Sequence, residues 1–173
     1  MNDLAQLRGK HAKRFDMFDA NDDGMVRQRD FTGLAERLVR RFRIPVDSIG
    51  AERIRAGYEV SWLSLSARCG ADGPVPRARF VAALGAADLA CRIGAADAVA
   101  IRECGAAVDG IVDVEHVAEV VIALGAHPGD APLIREALKT DGELLPLTTV
   151  TRLVSAYFAD DTPSDLYGRS SSH

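Results

Sequence analysis

Lysine is almost absent from this chain of 173 residues: Lys10, Lys13 and Lys139 are the only ones, and arginine supplies the rest of the 21 basic side chains. Those 21 are outweighed by 25 carboxylates, for a net charge of −4. A protein held to nucleic acid mainly by phosphate contacts needs a clear basic excess, so that class is excluded. Cysteine is sparse and odd in number: Cys69, Cys91 and Cys104 form no CxxC pair and have no histidine at ligand spacing. That excludes a thiolate zinc site and fits reduced, small apolar side chains. No run of about 18 apolar residues occurs, which excludes a transmembrane helix. The start, Met1-Asn2-Asp3-Leu4, is polar and lacks an apolar signal core, so the expected location is the cytoplasm.

Strand-like alternation is also scarce, and a helical period runs through nearly all of the chain. Leu4, Leu7, His11, Phe15 and Phe18 recur at steps of three and four, as do Phe31, Leu34, Leu38 and Phe42. Val117, Val120, Val121 and Leu124 repeat the pattern, and so do Val150, Leu153, Val154 and Tyr157. Each set places its apolar side chains on one helix face. Asp/Gly clusters at Asp22-Asp23-Gly24, Gly70 to Pro74, Asp109-Gly110 and Asp141-Gly142 break these segments. The expectation is an all-α chain of repeated helix–loop–helix units.

The first break carries chemistry. From Asp19 to Asp30, oxygen side chains stand at loop positions 1, 3 and 5 (Asp19, Asn21, Asp23) and a carboxylate, Asp30, at position 12. Gly24 falls at position 6, where the backbone must turn sharply, and Val26 at position 8, the apolar anchor that pairs one loop with another. Alternate residues of a tight loop can all point oxygen at a hard cation, which needs six or more such ligands. This is the pattern of an EF-hand calcium loop, with Asp in place of the usual Glu at its end. Met25 at position 7 contributes through its carbonyl, so its side-chain chemistry is immaterial.

Aligning the anchors gives three more hands. Val26 and Phe31 define the first, Val75 and Phe80 the second, Val112 and Val117 the third, Leu145 and Val150 the fourth. The pairings expected are Val26 with Val75 and Val112 with Leu145. That makes an N-terminal pair over residues 1–90 and a C-terminal pair over 91–173. The later loops have lost their ligands. The second has Arg68 and Arg79 at its two ends, with Gly70 and Asp72 between. The third offers Gly105, Ala107, Asp109 and His116, the fourth Leu138, Thr140, Gly142 and Thr149. Asp113 and Asp141 read as solvated turn carboxylates.

The stretch Lys13-Arg14-Phe15-Asp16-Met17-Phe18-Asp19, the loop through Phe31, Arg37-Leu38-Val39, and Ala156 to Asp161 resemble the bacterial calerythrin-like, sarcoplasmic-type calcium-binding proteins. The resemblance implies four hands in two lobes and a cytoplasmic calcium-binding role. Carried over by position, its metal ligands fall on Asp19, Asn21, Asp23, the Met25 carbonyl, Arg27 through a water, and Asp30. The shorter Asp30 draws the expected site toward six-fold coordination, so magnesium enters as a competitor of calcium.

One functional site makes a poor buffer, and three methionines make a poor sensor groove. The leading expectation is one calcium ion in a structural or single-input regulatory role. The alternative is a scaffold repurposed to bind or convert an apolar small molecule, lined by Tyr58, Trp62, Phe80, Phe42 and Tyr157. No catalytic set is assigned. The polar candidates for one are His11, His116, His127, Glu59, Glu103 and Cys104, and no nucleophile–base–orienter spacing is visible. The basic amphipathic stretch Arg37 to Arg43 reads as the solvated face of an exiting helix rather than a membrane anchor.

Overall fold

The computed structural model describes residues 3–70, 72–105, 108–138, 144–159 and 164–169. The four hands are α1 (Asp3–Phe18), β1 (Met25–Val26) and α2 (Gln28–Arg41); α3 (Ile49–Cys69), β2 (Val75–Pro76) and α4 (Arg77–Leu84); α5 (Ala87–Cys104), β3 (Ile111–Asp113) and α6 (Val114–Ala123); α7 (Ala131–Leu138), β4 (Leu144–Pro146) and α8 (Leu147–Ala159). A 3-10 turn, Pro128–Asp130, leads into α7. The chain is all-α, and its strands serve only to clip loops together. None of the described helices is long and apolar enough to cross a membrane.

The clips form in the register that the anchors predict. β1 and β2 are antiparallel with Val26 opposite Val75, and β3 and β4 are antiparallel with Val112 opposite Leu145. All four anchors are buried, as are Phe31, Phe80, Val117 and Val150, the apolar residues five positions on. Burying one such side chain contributes about 1.5–3 kcal/mol, so the clip and the first turn of each exiting helix are fixed together.

Local signals set the helix ends. Ser48 accepts a hydrogen bond from the Ala51 amide at 3.2 Å and starts α3, and Gly70 closes it in the left-handed conformation. In α2 the acid in the first turn, Asp30, and the bases in the last, Arg40 and Arg41, all complement the helix dipole.

The buried residues make one continuous core. Helix α3 packs on α2 and α5, α5 packs on α8, and α1 packs on α4 and α8. One face departs from its sequence period. Leu4, expected on the buried stripe of α1, is exposed, and His11 is buried as expected, but Lys10 and Arg14, outside that stripe, are buried as well beside Phe15 and Phe18. Cations occupy an apolar face because partners from distant segments meet them.

Candidate metal loop and buried polar centre

In the first loop the chain folds onto its own oxygens. Both oxygens of Asp19 accept backbone hydrogen bonds, from the Asp23 amide at 3.1 Å and the Gly24 amide at 2.8 Å. Asp23 accepts the Met25 amide at 2.9 Å on one oxygen and the Asn21 side-chain amide at 2.9 Å on the other. Asp30, in the first turn of α2, accepts the Arg27 amide at 2.7 Å. Asp22 and Gly24 have φ of 53° and 76°, so the turn is left-handed at both. Asp tolerates this region and Gly occupies it without strain. Asp19 is buried, Asp30 is half-buried, and Asn21 and Asp23 are open to solvent.

The donor set suits a hard cation: three carboxylates and an amide oxygen on a single tight turn, with backbone carbonyls between them. The carboxylates are presently engaged by loop donors. Among the described residues no three His, Cys, Asp or Glu side chains form a ready-made metal cluster. The resemblance implied that Arg27 acts through a water. Its guanidinium lies 2.6 Å from Asp23 Oδ2, and that of Arg29 lies 3.9 Å from the same atom. The Asn21 hydrogen bond, reinforced by Arg27 and the Met25 amide, holds the Asp23 carboxyl below its ordinary range.

In the later loops, several described side chains near the ligand positions meet partners within the chain. In the second, Arg68 pairs with Asp88 at 2.8 Å, and Asp72 is exposed. In the third, Asp113 caps α6 by accepting the Glu115 amide at 2.7 Å. His116, at position 12, reaches back with Nε2 to the Cys104 carbonyl at 3.0 Å, so an imidazole ties the exiting helix to the end of the entering one. Ala107, Thr140, Asp141 and Gly142 lie outside the described residues.

The residues weighed for catalysis do not assemble. His116 meets the carbonyl of Cys104 rather than its thiol, which burial pushes up to about 12. His11 is buried with Nε2 at 2.9 Å from the Phe158 carbonyl, and His127 is exposed, accepting the Gly129 amide. Glu103 pairs with Arg53 and Arg102, and Glu59 is exposed. The aromatic residues weighed as a ligand lining largely fill the core. Phe18 stacks on Phe31 at 4.0 Å between ring centres and meets Tyr58 and Phe80 edge-on, while Phe31 packs on Trp62. Tyr157 packs on Phe158 and Tyr167. Phe42 is half-buried near His116.

The sequence reading missed the polar centre of the core. Asp97 of α5 receives Arg14 Nη2 at 2.6 Å and the Tyr58 hydroxyl at 2.8 Å on one oxygen, and the Tyr167 hydroxyl at 2.8 Å on the other. All four side chains are buried. The available signal was a lone acid in Ala95-Ala96-Asp97-Ala98-Val99-Ala100. An acid amid small apolar residues is either a flaw in the face or a buried ion awaiting a partner.

No known family profile and no characterised protein sequence matches the chain. Solved structures do. A Streptomyces coelicolor calcium-binding protein, described as acting in prokaryotic calcium-mediated regulation, is 26% identical, with a TM-score of 0.73 over 87% of this chain and 96% of that one. The sarcoplasmic calcium-binding protein of amphioxus is 21% identical, with a TM-score of 0.65 over 95% and 97%. The coelenterazine-binding protein of Renilla muelleri, in its calcium-loaded apo form, is 14% identical, with a TM-score of 0.62 over 97% and 98%.

Proposed function

Starting from a chain with the fold of the calerythrin-like, sarcoplasmic-type EF-hand proteins, we propose that its first loop binds one calcium ion, with magnesium as competitor, in a structural or single-input regulatory role. The observation that carries this is the loop itself, with oxygen side chains at positions 1, 3, 5 and 12 around a left-handed Gly24. The calcium-binding character of the Streptomyces and amphioxus proteins supports it. Asp19, Asn21, Asp23 and Asp30 supply side-chain oxygens, and Met25 supplies its carbonyl. For Arg27 to leave room for a water at position 9, its guanidinium must release Asp23. Residues 1–90 are then the metal-carrying half and 91–173 a half that works without metal, in the cytoplasm.

Calorimetric titration with calcium tests the reading. One site per chain is expected, and Asp19→Ala should abolish it by removing an acidic ligand. Two or more equally tight sites would overturn it, as would unchanged binding in Asp19→Ala. The second reading, an apolar small-molecule ligand, finds Tyr58, Trp62, Phe80 and Tyr157 packed into the core. A ligand site therefore has to be sought at the surface.

A further inference from the structure

The basic stretch Arg37 to Arg43 reads in sequence as a solvated helix face, and the fold gives part of it a different setting. Arg37, Arg40 and Arg41 of α2 border a crevice of about 520 Å³ whose other walls come from α1 and α6. That volume is in the range of small-molecule pockets. Met17, Ile122 and Ala123 make its apolar lining. At one edge Gly125 has φ of +119°, and a Cβ there would come within 2.9 Å of the Met17 carbonyl oxygen, so the turn after α6 lies directly against α1. Only glycine allows that approach, which fixes the apolar wall in place.

Among the described residues none of the three guanidiniums is in a hydrogen bond or a close ion pair, although Asp30 and Glu36 lie near enough to act on Arg37 and Arg40 at longer range. This contrasts with Arg14, Arg27, Arg55, Arg68, Arg77 and Arg135, each of which has a carboxylate partner. The one acid on the crevice, Asp16, is already paired with Arg77 at 3.0 Å. Arg37 is half-buried, and the loss of water lowers its pKa from the ordinary value. A cation partly stripped of water beside two more cations gains from an anion, and arginine grips carboxylates and phosphates through two parallel hydrogen bonds. The lining beside it favours hydrocarbon.

We propose that this crevice binds a small amphiphilic anion, its carboxylate or phosphate head held by Arg37, Arg40 and Arg41 and its short hydrocarbon chain laid along Met17, Ile122 and Ala123. The recess, bounded by three helices, selects a single chain rather than a bilayer face. Because α1 and α2 are also the entering and exiting helices of the first loop, a metal that resets their angle reshapes the crevice, and the two ligands alter each other's affinity reciprocally. This coupling rests on the calcium reading above, whereas the anion site does not.

Calorimetry on the full chain in chelator, with dodecanoate and dodecyl phosphate as probes, tests the site apart from the metal. One probe per chain is expected, with affinity falling about tenfold in Arg37→Gln and in the Arg40→Gln, Arg41→Gln double variant, a loss on the scale of one charge-assisted contact. Arg40 and Arg41 are exposed, so their variant carries the test if Arg37→Gln fails to fold. Ile122→Glu should abolish binding. Dodecyltrimethylammonium, which has the same tail and opposite charge, should not bind. Equal binding of that cation, indifference to the arginine substitutions, inorganic phosphate binding as tightly as its dodecyl ester, or retention only by anionic phospholipid vesicles would each overturn the proposal. Repeating the titration in calcium should shift the probe's affinity. If calcium itself finds no site on the chain, the coupling falls and the chelator result still decides the crevice.

Discussion

Arg14 and Asp97 are 83 residues apart in the chain and 2.6 Å apart in the fold, and neither side chain touches solvent. The guanidinium also lies over the Phe18 ring, 4.2 Å from its centre, and faces Phe158 and Tyr167 at longer range. Tyr58 and Tyr167 donate to the same carboxylate. One ion pair thus joins α1, α3, α5 and the segment after α8. Burial pushes the Asp97 pKa up, and Arg14 with the two tyrosine hydroxyls works against that.

Removing one partner of such a pair leaves the other charged, buried and alone. Asp97→Ala is therefore expected to cost about 3–5 kcal/mol. Replacing both ends, as in Arg14→Met with Asp97→Leu, should cost clearly less, since no charge is left stranded. Denaturant unfolding of the two variants measures the difference. A double variant as unstable as the single one would mean that packing, not charge, dominates this centre.

Arg27 is expected to compete with the cation for Asp23. The pair is partly exposed, with side-chain exposures of 29% and 32%, so its strength is modest. Arg27→Ala should tighten calcium binding about two- to fivefold. The gain should shrink at high ionic strength, where the arginine is screened in the parent protein. Calorimetry at low and high salt distinguishes this from a general loosening of the loop, which would weaken binding at both.

Asp30 should set ion choice. Its side chain is one methylene shorter than the usual glutamate, which favours a smaller, six-coordinate ion. Asp30→Glu is expected to tighten calcium binding and to weaken competition by magnesium. An unchanged calcium-to-magnesium preference would take control of selectivity away from this position.

His11 gives a pH dependence. Its pKa is lowered from 6.5 chiefly by burial, against hydrogen bonding to the Phe158 and Val81 backbone. A depressed histidine pKa means that the unfolded state takes up the proton first. Above about 6.5 both states are neutral and the full stability is present. As pH falls through that value the unfolded chain is protonated and stability drops, until the folded pKa is passed. His11→Gln should lack this component, so the gap between its melting temperature and that of the parent should narrow from pH 7.5 toward pH 5.5. A constant gap across that interval would show that another group carries the acid sensitivity.

The helices, the four hands and the clip registers were legible in the sequence because their causes are local. A 3.6-residue period marks a buried face, an Asp/Gly cluster ends a helix, and the anchor in each loop is followed five residues later by an apolar side chain: Val26 and Phe31, Val75 and Phe80. The same period gave no warning that Lys10 and Arg14 are buried on α1 beside His11, since a cation next to an apolar stripe reads as solvated until its partner is known.

The sequence by itself determined which segments are helical and which loop sets oxygen side chains at positions 1, 3, 5 and 12. Each of those follows from residues within about a dozen positions of one another. Only the tertiary structure decided that Asp97 receives Arg14, Tyr58 and Tyr167, that Arg27 turns onto Asp23, and that α6 stands against the α2 arginines to make a crevice. Charges and hydrogen bonds act over a few ångströms of space, and the distance between two residues in space is set by how the helices pack, which no spacing along the chain encodes.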